Sequence, residues 1–365
     1  KQLPLEDTSD YRSLNKIVFN TCNKTCVVID DDPTGNQTVY DIPLLTQWDL
    51  DTIKNEFKKE TPVFFLLTNS RSLTKEKSTE IYQKITKNIL VFIPVMFEGG
   101  RVTVKDIHYI REHEKLTPVN QTAFSKDHTF AYSHANLKAY IEEKTKGRIK
   151  ASHVVSLDIE SIRTLSPKTL SNRINAIESG KFCIVNALNY NDLDKVAQAL
   201  LLAEKSEKQI LYRTSSSFVP SYIGLEPKPL LTAETIINSK SKSGGLTIVG
   251  SYVPKSSSQL KHVIENTSKK ELIEINVEVI LSAEVKVYIA SIITKIDTTI
   301  ANGKDVIVYT SRKLITGKDS DSNIDIASKV SQALVALVNG ITIRPKYLLA
   351  KGGITSHDLA TKGLK

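Results

Sequence analysis

The sequence predicts an α/β protein of two domains, each a mostly parallel sheet flanked by helices, with a cleft between them. Short runs of Val, Ile, Leu and Phe alternate with longer helix-like stretches almost from end to end. This repeated β-then-α order implies parallel strands joined by helical crossovers. The short runs are apolar at nearly every position, which suits strands covered on both faces. Length agrees: 365 residues, at about 150 per domain, make about two domains.

In chain order the strand candidates are Cys26–Asp30, Val63–Thr68, Val91–Val95, His153–Leu157, Phe182–Asn186 and Ile210–Arg213, then Leu246–Gly250, Leu272–Val277, Asp305–Thr310 and Tyr347–Ala350. Each is a run of β-branched and other apolar residues that stops at polar or turn residues. Between them, apolar residues at helical spacing mark Thr74–Ile89, Asn136–Thr145, Tyr190–Glu207, Ser256–Asn266, Ala283–Ala301 and Ile324–Asn339. The alternation is interrupted where Pro220, Pro227 and Pro229 precede the Ser/Lys/Gly-rich stretch Asn238–Gly245, which reads as a linker. The expected domains are therefore 1–232 and 245–365. One junction lacks a turn: Asn88–Leu90 ends a helical pattern and Val91 opens a strand, where a loop of about 4–6 residues is usual. The expectation is a chain with segments missing after Leu90 and after Lys365.

Composition removes several classes. Hydrophobic residues are 40% and charged residues 24%, as in ordinary globular proteins, which excludes disorder, collagen and coiled coil. The longest apolar runs, such as Val63–Leu67 and Val91–Val95, fall far short of the ~20 residues of a membrane span. Lys1–Asp10 lacks the apolar centre of a secretory signal. Cys22, Cys26 and Cys183 are the three cysteines, and an odd count without C-x-x-C argues against a disulfide framework or zinc ribbon and for a reducing compartment. A soluble cytoplasmic protein is expected. The net charge of +9 is spread over lysines mixed with glutamates. No basic run is interleaved with base-stacking aromatics, so no nucleic-acid or membrane partner is expected. A positive field can still collect small anions.

Four stretches can carry chemistry. Val28–Tyr40 reads V-I-D-D-D-P-T-G-N-Q-T-V-Y. A strand runs into Asp30, Asp31 and Asp32, whose mutual repulsion calls for a cation, an arginine or substrate hydroxyls, and ligands of open α/β sheets bind beyond the carboxyl ends of strands. An acidic turn capping a helix through Asp32 or Thr34 is the plain alternative. Tyr347–Leu364 reads Y-L-L-A-K-G-G-I-T-S-H-D-L-A-T-K-G-L. There Gly352 and Gly353 allow close backbone approach, and Thr355 and Ser356 can open a helix whose free N–H groups face an anion. Leu246–Gln259 repeats this theme with Gly250 and Ser251, and two strand–glycine–helix units can hold a polyphosphate from two sides. Gly245–Ser251 has the P-loop's glycine spacing, but Ser251 stands where the lysine should, and no G-x-G-x-x-G occurs. Phe97–Tyr109 (F-E-G-G-R-V-T-V-K-D-I-H-Y) gathers Glu98, Arg101, Asp106 and His108 about one loop. Arginine there suits carboxylate recognition, and a surface salt-bridge cluster is the alternative. Arg213 opens a similar strand-end group, R-T-S-S-S, where binding and capping stay equally open.

The ordered set D-D-D-P-T-G-N-Q-T, F-F-L-L-T-N-S-R-S, F-E-G-G-R-V-T-V-K-D-I-H-Y, R-T-S-S-S-F and K-G-G-I-T-S-H-D-L-A-T-K-G-L resembles the four-carbon acid sugar kinase family over nearly the whole chain. The resemblance implies a sugar-acid-binding N-terminal domain, an ATP-binding C-terminal domain, and Mg²⁺-assisted phosphorylation of a hydroxyl on a short sugar acid such as threonate, erythronate or an oxo-tetronate. It carries the family's paired aspartates onto Asp31 and Asp32, with Thr34 and Gly35 completing the motif, and its ATP-binding positions onto Ser251 and Gly353–Ser356. Asp30 falls where many members have a small residue. The family's Ser-Arg-x-Asp-Ser-Thr-x-Arg-Gly-His-like run, expected between Leu90 and Val91, is not in the chain, nor is a late glycine-rich nucleotide segment.

Phosphoryl transfer asks mainly for positioning and charge neutralisation. The expected division of labour gives Asp31 or Asp32 the attacking hydroxyl and its proton. Amides around Gly250–Ser251 and Gly352–Thr355 take the phosphates, and Arg101 and Arg213 take the substrate carboxylate or the charge on the transferred group, beside Asp30, Thr34 and Gly35. No metal ligand is assigned and oligomeric state is open, a homo-oligomer included. The competing readings are a non-catalytic sugar-acid sensor and a nicotinamide-dependent oxidoreductase on the same substrates.

Overall fold

The computed structural model of the chain describes residues 2–22, 24–30, 38–46, 49–67, 89–112, 114–126, 131–237, 240–267, 270–312, 315–316 and 320–364. The protein is α/β, in two compact units that part between Pro227 and Lys228. No helix among the described residues is long and apolar enough to cross a membrane.

Among its described residues the first unit forms two parallel sheets and one antiparallel sheet. β1 (Cys26–Asp30), β2 (Leu44–Leu45) and β3 (Val63–Leu67) associate in the order β1-β3-β2. β4 (Ile89–Ile93) belongs to a second parallel sheet, and β5 (Arg101–Val104), β6 (Ile107–Glu112) and β7 (Lys115–Pro118) form the antiparallel one. With β8 (Val155–Leu157), β9 (Phe182–Val185) and β10 (Ile210–Thr214), the second sheet has the order β10-β4-β9-β8. The strand at Ile89–Ile93 corrects the expected helix-to-strand boundary, placing Ile89 and Leu90 in the strand. Ile89, Leu90 and Val91 pair in consecutive register with Ile210, Leu211 and Tyr212, so the strand runs straight through Leu90–Val91. Ile89 and Val91 are fully buried in the sheet, and this burial, which helical periodicity does not reveal, sets the boundary. The helix expected over Thr74–Ile89 lies, up to residue 88, outside the described residues.

The core of this unit packs Ile89, Val91, Ile93, Cys183 and Val185 against the helix Tyr190–Lys205. Asn189 opens that helix by accepting from the Asp192 amide at 3.1 Å. The helix is buried around most of its girth, Asp192, Asp194 and Lys195 included. A buried charge is tolerable only when paired, and each has a partner far away in sequence. Arg163 grips Asp192 through two hydrogen bonds of 2.8 and 3.0 Å, Arg12 meets Asp194 at 2.8 Å, and Asp7 meets Lys195 at 2.8 Å.

The antiparallel sheet turns at Lys105 and Asp106, both at positive φ (50° and 62°), the signature of a two-residue primed hairpin turn. Thr103 and His108 face each other across it, with Thr103 Oγ1 2.9 Å from His108 Nδ1. Burial, helped by the nearby Arg101 charge, pulls the His108 pKa down to about 3.

In the second unit β11 (Leu246–Val249), β12 (Lys270–Ile275), β13 (Asp305–Thr310) and β14 (Leu348–Lys351) form one parallel sheet in the order β12-β13-β11-β14. Alternate strand residues face opposite sides. Leu246, Ile248, Val306 and Val308 meet the face of the helix Val285–Ala301 that carries Ile289, Ile292, Ile296 and Ile300, and also Leu334 and Leu337 of the helix Ser320–Gly340. Val249 and Ile307 pack instead with Leu260 of the helix Pro254–Asn266. At the other end of the strands Asp305 accepts from the Gly245 amide at 2.8 Å and pairs with Lys346 at 2.8 Å, pinning the starts of three strands.

Two tests follow from this packing. Leu200→Ala, at a fully buried position of the helix Tyr190–Lys205, should lower the unfolding free energy by about 2–5 kcal/mol in urea titration. Val287→Ala, at a position 77% exposed, should change it by no more than about 0.5 kcal/mol. His108 is neutral when folded and gains a proton on unfolding below its ordinary pKa of about 6.5. Its contribution is therefore present above pH 6.5 and lost as pH falls toward about 3. Stability of the wild type should fall between pH 6.5 and 5 more steeply than that of His108→Gln, by up to about 1.4 kcal/mol per pH unit, read from paired urea titrations at each pH.

Candidate functional site

Parallel strands all end on one edge of their sheet, so β11, β13 and β14 deliver their following residues to the same edge. Val249 of β11 stands opposite Lys351 of β14, which places Gly250–Ser251 beside Gly352–Gly353. The Lys351 carbonyl accepts from both the Gly250 and Ser251 amides, at 3.2 and 3.3 Å. A Cβ on Gly250 would lie 2.2 Å from Thr355 Oγ1, so only glycine fits. Gly352 has φ +123°, and a Cβ there would come within 3.1 Å of both the Ser251 Cβ and Thr355 Oγ1. The two glycine turns thus touch through Ser251 and Thr355, with Thr355 buried. Gly353 opens the helix Gly353–Asp358. The Ser356 amide donates to Gly352 O at 2.8 Å and the Ser356 hydroxyl to Ala350 O at 3.1 Å, so this hydroxyl is spent on the turn.

The helix after Ser251 starts at Pro254 rather than in the serine run, with no side-chain cap at Val253. Proline suits a first helical position, whose amide would lack a partner anyway. Ser257 donates to Tyr252 O at 3.3 Å. Arg312, which the sequence reading did not single out, follows β13 and reaches across to the end of β11. Its Nη1 donates to the Ser251 carbonyl at 2.7 Å and lies 3.5 Å from Ser257 Oγ. The one signal in the sequence is its place just past a strand end, a position it shares with Ser251 and Gly352.

In the first unit, Asp30 closes β1 and is buried. Asp31, Asp32, Thr34 and Gly35 lie outside the described residues. At Thr38, where the described chain resumes, the hydroxyl donates to the Ser216 carbonyl at 2.7 Å, which ties the end of the D-D-D-P-T-G-N-Q-T motif to the R-T-S-S-S stretch. Arg101 is the first residue of β5, and its amide donates to Met96 O at 2.8 Å. Arg213 lies inside β10 and is exposed. The loop group expected around Gly99–Gly100 is dispersed. Glu98 accepts from Ser217 Oγ at 2.7 Å and from Tyr190 OH. Asp106 meets Asn186 at 2.8 Å and Lys138 at 3.2 Å, and His108 is buried against Thr103. The strands β5 and β6, unanticipated there, send these side chains in different directions. Burial and the Glu98 carboxylate push the Tyr190 phenol well above its usual range, which keeps it a donor. Among the described residues no group of three or more His, Cys, Asp or Glu could hold a metal ion.

Comparison with known proteins agrees with this division. Residues 26–89 and 79–222 match the model of a sugar-binding N-terminal domain, and residues 246–365 match that of a nucleotide-binding C-terminal domain. No curated protein matches the chain. Among solved structures, a candidate tRNA synthase from Salmonella typhimurium LT2 is 12% identical, with a TM-score of 0.53 over 98% of this chain and 86% of that one. A Haemophilus influenzae protein of the DUF1537 family is 13% identical, with a TM-score of 0.49 over 98% and 87%. A DUF1537 protein from Bordetella bronchiseptica, a domain-swapped dimer with bound citrate, is 13% identical, with a TM-score of 0.42 over 92% and 86%. At such identities the structural likeness speaks to the fold, whereas the two domain models together span most of the sequence. With a sugar-binding domain followed by a nucleotide-binding domain in this order, the chain belongs to the four-carbon acid sugar kinase family.

Proposed function

We propose that this protein transfers a phosphoryl group from ATP to a hydroxyl of a four-carbon or similarly short sugar acid such as threonate, erythronate or 3-oxo-tetronate. The observation that carries the reading is the contact between the Gly250–Ser251 and Gly352–Thr355 turns at the carboxyl edge of one parallel sheet, within the part that matches a nucleotide-binding domain. Backbone amides at such turns bind phosphate oxygens without any proton changing hands. In this reading Ser251 and the Gly352–Ser356 segment hold the polyphosphate. Asp31 or Asp32 orients the acceptor hydroxyl and takes its proton, and Asp30, Thr34 and Gly35 shape the substrate side. Arg101, with Arg213 second to it, pairs with the substrate carboxylate. Mg²⁺ accompanying ATP supplies neutralisation of phosphate charge. No acidic cluster able to bind it exists among the described residues, so no ligand is assigned to it and no step is routed through it. Three free cysteines fit a reducing compartment, and hence a cytoplasmic enzyme.

A second reading, a sugar-acid-binding protein without turnover, is favoured by one observation: the sugar-binding domain matches in two pieces that overlap over residues 79–89, rather than in a single run.

With ATP, Mg²⁺ and a panel of threonates, erythronates and oxo-tetronates, the purified chain should release ADP with at least one acid. Calorimetry that finds acid binding while no acid on the panel elicits ADP would select the second reading. Asp32→Asn should lower turnover by about 10²-fold or more, the usual weight of a positioned general base, with ATP affinity changed less than about 2-fold. Gly353→Val should do the reverse, weakening ATP binding by roughly 10-fold or more, since close backbone approach to phosphate requires glycine. Equal effects of the two substitutions on ATP affinity would refute the assignment of these segments to separate ligands.

A further inference from the structure

Arg312 has a place in the fold that the family comparison does not explain. It leaves the end of β13, where the Ser311 amide is tied to Ile275 O at 2.9 Å, and its side chain crosses to the neighbouring strand end. There Nη1 holds the Ser251 carbonyl at 2.7 Å, with the Ser257 hydroxyl at 3.5 Å. The other two guanidinium nitrogens, Nε and Nη2, are shielded from solvent and have no hydrogen-bond acceptor among the described residues. Among them no carboxylate forms a salt bridge with Arg312; Glu274 and Tyr309, whose ring centroid lies 5.8 Å from Cζ, favour its charge from further away. Five donors on one charged group normally find acceptors, and a donor withdrawn from water without one is destabilising. Burial accordingly pushes the Arg312 pKa below its ordinary value. Two shielded donors without an acceptor among the described residues suit a ligand that brings acceptors to this strand end.

We propose that Arg312 is a positioning residue for the nucleotide's phosphates: it clamps the Ser251 carbonyl, fixing the Gly250–Ser251–Tyr252 turn, and supplies the positive charge that makes this sheet edge select a polyphosphate over an uncharged nucleoside. The two effects act together. In a trans peptide the carbonyl and the following amide point in opposite directions, so holding the Ser251 carbonyl on Arg312 aims the Tyr252 amide away from it. The charge acts through the weakly screening protein interior without needing contact. This inference rests on the nucleotide-binding reading of the second unit and goes beyond it by naming what discriminates among nucleotides.

The test is calorimetric titration of the full chain and of Arg312→Gln, Arg312→Met and Arg312→Lys with ATP, ADP, AMP and adenosine, with thermal unfolding of each variant. Gln and Met should weaken ATP about 10- to 100-fold, AMP less, and adenosine under 2-fold. Lys, which keeps the charge, should recover most of the ATP affinity and guards against a variant that fails to fold. Proportional weakening of ATP and adenosine, or ATP affinity unchanged in Arg312→Gln, would sink this inference alone. A wild-type chain that binds none of the four would remove the nucleotide reading and this inference with it.

Discussion

The parallel pairing of β11 with β14 is the constraint on which the candidate nucleotide site depends. Because the two strands run the same way and Val249 lies opposite Lys351, their carboxyl ends coincide and their glycine turns meet. In an antiparallel pair the same two sequences would end on opposite edges of the sheet. The register then dictates chemistry at single positions. Gly250 cannot bear a side chain because Thr355 occupies the space, and Gly352 must adopt a φ of +123° to bring the chain from strand to helix beside Ser251. One carbonyl, that of Lys351, receives both amides of the opposing turn. Parallel pairing also demands helical crossovers, and the helices Val285–Ala301 and Pro254–Asn266 provide the two apolar covers that keep β11 and β13 buried.

Strands of this kind were the legible part of the sequence. Leu246–Val249, Asp305–Thr310 and Phe182–Val185 are apolar almost throughout because both faces are covered, and each was recognisable to within a residue. The antiparallel sheet was not. β5 to β7 (R-V-T-V, I-H-Y-I-R-E, K-L-T-P) mix polar with apolar residues, and their first turn is Lys105–Asp106 rather than a glycine pair, so nothing local announced a hairpin. The helix Tyr190–Lys205 was visible, but its depth was not. Asp192, Asp194 and Lys195 look like a solvated face until Arg163, Arg12 and Asp7 are brought to them by the fold. Ile89 and Leu90 continue a helical apolar pattern, and only the pairing with β10 turns them into strand.

The same asymmetry governs the site. Glycine at a strand end is informative because few other causes put it there, so Gly250–Ser251 and Gly352–Gly353 could be picked out and the structure sets them side by side. Arginine after a strand has many causes. What distinguishes Arg312 is the strand order β12-β13-β11-β14, which makes the end of β13 adjacent to the end of β11, and strand order is not written in any local pattern. Glu98 shows the converse. Its neighbours in sequence, Arg101, Asp106 and His108, suggested one cluster, whereas its partners are Ser217 and Tyr190, brought from roughly a hundred residues away by the pairing of β4 with β9 and β10.

Electrostatics at the β11–β14 edge point the same way as the glycines. A polyphosphate site tolerates no unpaired carboxylate, since like charges at a few ångströms oppose each other strongly in a weakly screening interior. Asp358, the acid nearest in sequence to the Gly352–Ser356 turn, is turned aside to Ser331 and to Lys362 at 2.7 Å. Its partners hold its pKa below the usual carboxylate range against the opposing pull of burial, so it stays ionised but compensated. Arg312 forms no salt bridge among the described residues, and its Nε and Nη2 have no acceptor among them. The edge therefore combines oriented amides, an acid held by its own partners, and a cation with two donors still without acceptors among the described residues. That combination favours an anion whatever the strength of the protein's overall positive charge, because the local arrangement survives salt that would screen lysines scattered over a surface.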